Sequence, residues 1–167
     1  PQGFPKLSAE LKEHRADLLF LCFGFNESFQ GATGLDHYKA ELGNFLKKLQ
    51  GQKFNGEFAP RIVLVSPIPF EDLDNGLPNS GEGNRRIQLY STASETVAKE
   101  HGVRFLDLFT PMLERASNIP NRKITINGVH LTEYGDWAVS QLMARGLGLW
   151  RDDLTLPLAT PRDEKFR

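Results

Sequence analysis

Asp17-Leu18-Leu19-Phe20-Leu21-Cys22-Phe23-Gly24-Phe25-Asn26-Glu27 runs from an unbroken apolar stretch straight into a glycine-bearing turn. A run this short, without polar alternation and closed by turn residues, reads as a strand buried on both faces, the kind that parallel sheets contain. Residues 61–66 (Arg-Ile-Val-Leu-Val-Ser) and 103–108 have the same character. Helical spacing fills the intervals, with Leu35, Tyr38, Leu42, Phe45, Leu46 and Leu49, then Ile87, Tyr90, Ala93 and Val97. Tyr134, Trp137, Ala138 and Leu142 repeat it after the third strand. Strands alternating with amphipathic helices mean β-α-β units and an α/β fold.

Outward from that frame, residues 5–14 read as a short helix feeding the first strand, with Leu7 and Leu11 facing inward. Residues 110–121 hold one helix, with Pro111 in its first turn and Pro120 beyond its end. Residues 71–83 carry three Gly, two Asn, a Pro and four acids, and so predict a loop. It follows the second strand, where ligands bind in open α/β sheets. Cys22, alone and inside an apolar run, is expected to be a small core hydrophobe.

Sheets average about five or six strands, and the helix at 5–14 has no strand ahead of it. N-terminal strands are therefore expected to be missing, and the chain is expected to be part of a longer one. Residues 1–150 read as one N-terminally incomplete domain, and 151–167, with Pro157 and Pro161, as an exit linker.

A chain of 167 residues, 40% hydrophobic and 25% charged, has the make-up of one soluble globular domain. Its net charge of -1 comes from 20 basic and 21 acidic residues without blocks, so nothing marks a nucleic-acid surface. No apolar stretch approaches the roughly 20 residues of a membrane span. A small-molecule partner is expected. His14, His37 and His101 sit among charged neighbours as solvated side chains, with no pair at metal-ligand spacing. Glycine-rich phosphate loops are absent too, so neither metal nor cofactor is expected.

Two segments can carry chemistry. Residues 24–28 lie where the first strand reaches the carboxyl edge of the sheet, where Gly24 lets a ligand approach the backbone and Asn26 can donate to a developing oxyanion. The alternative is a turn in which Asn26 serves its own backbone. His130 follows a short β-like run at 123–126 and precedes Thr132, a good helix N-cap. That position presents an imidazole at the sheet rim, as a general base requires.

Together, Gly24-Phe25-Asn26-Glu27 and Asn127-Gly128-Val129-His130-Leu131 resemble the third and fifth sequence blocks of the SGNH (GDSL-type) hydrolases. The resemblance implies a flavodoxin-like three-layer α/β/α sandwich with a parallel sheet, and ester hydrolysis through a serine acyl-enzyme. Asn26 would be the oxyanion donor and His130 the base, with Gly24 and Glu27 beside the substrate. Family habit adds acetylated carbohydrate as the substrate class and export, to periplasm or exterior, as the location.

Two features depart from the family pattern. Asn127 stands where the family has an Asp three residues before the His; it can accept from the imidazole but cannot offset its charge. An analogous exchange costs a serine protease about 10⁴ in kcat. The Gly-Asp-Ser block is missing as well, and with it the block supplying a second oxyanion donor from a glycine. Ser28 and Ser66, the serines near strand ends, are explained by turn formation and capping. The chain alone is expected to be inactive. A non-catalytic binding domain on the same scaffold is the rival reading, and a flavodoxin-like cofactor protein a distant third.

Overall fold

The computed structural model describes residues 4–73, 80–118 and 123–149, and the residues expected to form the exit linker lie outside them. Three parallel strands, β1 (Leu18–Cys22), β2 (Arg61–Val65) and β3 (Arg104–Leu106), lie in the order β1-β2-β3. Leu19 pairs with Ile62 and Leu64 with Phe105 in register. The apolar runs form these strands, and the chain returns through helices as parallel pairing demands.

Helices α1 (Phe4–Glu13), α2 (Leu35–Gln50) and α3 (Ser80–Glu100) cover one face. Tyr38, Leu42, Leu46 and Leu49 of α2 meet Tyr90, Ala93 and Val97 of α3 over Leu19, Ile62 and Leu64. The opposite face, Val63, Val65, Leu106 and Leu108, is covered by Val139, Leu142 and Met143 of α5 (Glu133–Gly146). Helix α4 (Phe109–Asn118) packs Met112 against Ala138 of α5. This is the α/β/α arrangement with a parallel sheet that the sequence resemblance implied.

Several expectations change. Among the described residues, β1 is covered on one face only. Phe20 shares its side with Val63, but α5 does not reach it, leaving Leu18 42% and Phe20 39% exposed. Cys22 lies on the same bare side and is exposed, not a core residue. β1 is also the outer strand of the sheet, so one row of its backbone groups has no strand partner among the described residues.

Leu7 is exposed at 36%, while Phe4 and Leu11 of the same helix pack against the core. Helix α3 starts at Ser80, within the stretch expected to be loop. The Glu82–Arg86 ion pair and the hold of Asn84 on Phe70 offset the helix cost of Gly81 and Gly83. The β-like run at 123–126 makes a single antiparallel bridge, Thr125 to Leu131. His14 and His37 are exposed, but His101 is half-buried over Gly43, where an added Cβ would come within 2.8 Å of its ring.

Candidate active site

β1 ends at a chain reversal that only glycine makes easily. Gly24 has φ +107°, and a Cβ there would lie 3.2 Å from the Tyr38 hydroxyl. The Gly24 N–H donates to Glu27 Oε2 at 2.9 Å, so Glu27 closes its own turn. The 3₁₀ segment Glu27–Gly34 follows, fixed from above by Tyr90, whose hydroxyl donates to the Gly31 carbonyl at 2.9 Å. Asn26 stands at the head of this segment, exposed, with no capping hydrogen bond from its side chain. Its carboxamide is therefore not spent on capping this segment.

The protein also places a strong polar pair beneath that turn. The Tyr38 hydroxyl and Ser94 Oγ lie 2.7 Å apart in the core. Burial pushes the Tyr38 phenol up to about 12, against the opposing hydrogen bond from Ser94, and the Glu27 carboxylate adds to the rise. Tyr90 moves the same way, chiefly by desolvation and then through Glu27. Both phenols therefore stay neutral braces for the Gly24 turn.

The second segment folds as a tight loop closed by the Thr125–Leu131 bridge and by Ile126 N–H donating to the His130 carbonyl at 2.8 Å. Asn127 Oδ1 accepts from the backbone N–H of His130 at 2.9 Å and of Val129 at 3.3 Å. Those donors cannot reverse, so the carboxamide must face them with its oxygen. The same oxygen lies 3.0 Å from His130 Nδ1. An oxygen already accepting can only accept again, so Nδ1 carries a proton, and in the neutral ring Nε2 is then the basic nitrogen. Asn127 both shapes the turn and orients the imidazole.

His130 and Asn127 are exposed. Thr132 then caps α5, its Oγ1 accepting from Gly135 N–H at 3.1 Å. Segment 66–71, leaving β2, connects the two halves of the rim. Pro67 lies beside Gly24, and Glu71 N–H donates to the Gly128 carbonyl at 3.0 Å. Asn127 and His130 are thus brought together, as are Gly24 and Glu27. Among the described residues no hydrogen bond joins one pair to the other.

Both serines at strand ends are buried and held by structural hydrogen bonds. Ser66 is 2% exposed, and its Oγ accepts from Leu108 N–H at 2.8 Å and Phe109 N–H at 3.0 Å, which caps the start of α4. Ser28 is 3% exposed and donates to the Phe25 carbonyl at 2.6 Å. No group of three or more His, Cys, Asp or Glu that could hold a metal occurs among the described residues. No helix among them is long and apolar enough to cross a membrane.

Sequence reading missed Glu71 and Asn84, which build the floor of a cleft of about 290 Å³ beside the His130 loop, with Phe70, Met112 and Thr125. The available signal was slight: Glu71 is the first polar residue after the strand-exit run Pro67-Ile68-Pro69-Phe70.

The family model described as GDSL-like lipase/acylhydrolase matches residues 1–138. No protein of curated function matches the sequence. Among solved structures, a GDSL-like lipase from Parabacteroides merdae, assigned as such only provisionally, is 18% identical over 89% of this chain and 68% of its own, with a TM-score of 0.70. Axe2, an acetylxylan esterase from Geobacillus stearothermophilus, is 16% identical over 88% of this chain, with a TM-score of 0.63. The chain spans 66% of Axe2, just under two thirds of its length. At identities of this size the likeness concerns the fold.

Proposed function

We propose that this chain, which belongs to the GDSL-like lipase/acylhydrolase family, is the base-bearing part of a carboxylic ester hydrolase that works through a serine acyl-enzyme. The observation that supports the proposal is the contact of Asn127 Oδ1 with His130 Nδ1 at 3.0 Å, which in the neutral ring leaves Nε2 as the basic nitrogen. Esterase or acylhydrolase chemistry is what the family is named for.

In this reading the serine arrives on a segment that pairs along the open edge of β1. Its strand would end beside Gly24 and bring the hydroxyl toward His130. Nε2 takes the serine proton as Oγ attacks the ester carbonyl. The Asn26 carboxamide donates to the tetrahedral oxyanion, an interaction whose loss typically costs about 10² to 10³ in kcat. The protonated imidazole then gives its proton to the leaving alkoxide, and water attacks the acyl-enzyme by the same path reversed. Glu27 acts through the Gly24 turn that lines the substrate. Acetylated carbohydrate is the proposed substrate class, supported by the fold shared with an acetylxylan esterase.

A fluorophosphonate probe and p-nitrophenyl acetate test this together. The chain alone stays unlabelled. Joined to a segment bearing Gly-Asp-Ser after a β-run, it is labelled and releases acetate, and His130→Ala abolishes both. Activity that survives His130→Ala removes the base assignment. A non-catalytic binding domain is the second reading, favoured by Asn127 in place of an acid, and it predicts no labelling in any assembly.

A further inference from the structure

We propose that Glu71 is a positioning residue for the His130 base, acting through Thr125 and Gly128 without touching substrate. This rests on the reading of His130 as the base, and it assigns a task to a carboxylate which that mechanism does not use.

The loop carrying Asn127 and His130 has a single bridge at its neck, so the N–H groups of Ile124 and Thr125 find no strand to donate to. Glu71 supplies the acceptor. Its carboxylate takes Ile124 N–H at 2.9 Å, Thr125 N–H at 2.6 Å and the Thr125 hydroxyl at 2.5 Å. Glu71 forms no ion pair among the described residues, so these three donors are what balance its charge.

Direction follows from chemistry. An ionised carboxylate only accepts, so the Thr125 hydroxyl must spend its one proton on Glu71. Its lone pairs are then turned to Gly128, whose N–H donates to Thr125 Oγ1 at 3.0 Å. The carbonyl of the same glycine accepts from Glu71 N–H at 3.0 Å. Both polar groups of Gly128 are held by this relay, and Gly128 is flanked by Asn127 and Val129, the residue before His130.

The anchor itself is stiff. Asn84 of α3 grips the backbone of Phe70 on both sides, accepting its N–H at 2.7 Å and donating to its carbonyl at 2.8 Å. Gly128, at φ +89°, lies so close to the Phe70 ring that a Cβ would fall 2.7 Å from it. A rigid segment from β2 therefore sets the height and tilt of the loop from which Asn127 Oδ1 reaches Nδ1.

The test reads the ring nitrogens of His130 by long-range ¹H–¹⁵N NMR on the chain as it stands, at mildly alkaline pH. In the unaltered chain Nδ1 is protonated and Nε2 is not. Glu71→Ala moves both His130 nitrogens toward the averaged signals of a free imidazole, and Glu71→Gln, which keeps one acceptor oxygen, falls between. His14 and His37 do not change. Thr125→Val cuts only the hydroxyl relay and shifts the His130 signals in the same direction, which covers the case of Glu71→Ala failing to fold. In the ester-cleaving assembly Glu71→Ala lowers kcat by about 10²-fold with KM little changed. The proposal is overturned if Glu71→Ala or Thr125→Val lowers the unfolding midpoint and leaves the His130 nitrogens as they were. No ester is needed for the NMR measurement, so absent turnover would count against the hydrolase reading and not against this one.

Discussion

Replacing Ser66 with alanine separates a structural serine from a chemical one. The hydroxyl at the end of β2 accepts two buried backbone N–H groups, Leu108 at 2.8 Å and Phe109 at 3.0 Å. Removing the oxygen strands both donors, each at about 1–3 kcal/mol for an unsatisfied buried group. Because one acceptor served both, and Asp107 Oδ1 still takes Thr110 N–H at 3.2 Å, the sum falls at about 2–4 kcal/mol. With an m-value of about 2 kcal/mol/M, the urea midpoint drops by about 1–2 M at unchanged slope. Heating shows the same loss as about 6–12 °C in Tm for a chain of this size. Circular dichroism on urea titrations of both proteins is the assay. A midpoint within 0.2 M of the unaltered chain would mean that the Oγ network contributes nothing, and Ser66 would be open again as a reactive group.

Other consequences are as direct. Gly135→Ala pushes a methyl to 2.1 Å from the Ile124 carbonyl oxygen and 3.0 Å from Leu131, so α5 must move off the His130 loop, costing about 1–3 kcal/mol or more in urea unfolding. Phe20→Lys places a charge on the bare side of β1, and the isolated chain then self-associates less in analytical ultracentrifugation without losing stability. Tyr38 stays protonated to about 12 when folded, but the unfolded phenol ionises near 10. The native state then binds more protons than the unfolded one, so stability falls as pH rises from about 10 to 12. Urea unfolding across that window shows the slope, and Tyr38→Phe flattens it.

Periodicity carried most of the fold. The three apolar runs became strands within a residue or two of their expected ends, and the 3.6-residue pattern of Leu35, Tyr38, Leu42 and Leu49 located α2 because each of those residues faces the sheet. Where reading failed, a tertiary contact outweighed a local preference. Ser80–Gly83 looks like loop by composition, yet Asn84 is tied to Phe70 and extends the helix upstream. Cys22 and Phe20 belong to a run that looks buried on both sides, but burial depends on a neighbour, and α5 reaches only β2 and β3.

Around His130, the contact with Asn127 was weighed in advance because the family pattern sets a hydrogen-bonding residue three positions before the His, and the structure brings the two within 3.0 Å. Glu71 was not. Its partners lie 53 and 54 residues away, at Ile124 and Thr125, and nothing in the local sequence of either segment announces the meeting. Ser66 was expected to serve as a cap, and it does, but which backbone it caps was not legible, since the donors lie 42 and 43 residues downstream.

The open margin of β1 runs without interruption into Gly24 and Asn26. Whatever lattice of peptide groups zips onto that margin fixes, in the same stroke, how far its own last residue stands from the carboxamide. On the proposed mechanism, closing the sheet and arming the chemistry are a single event, so a protein divided at this seam would act as a two-piece lock, silent in halves and competent only when the halves share one ladder.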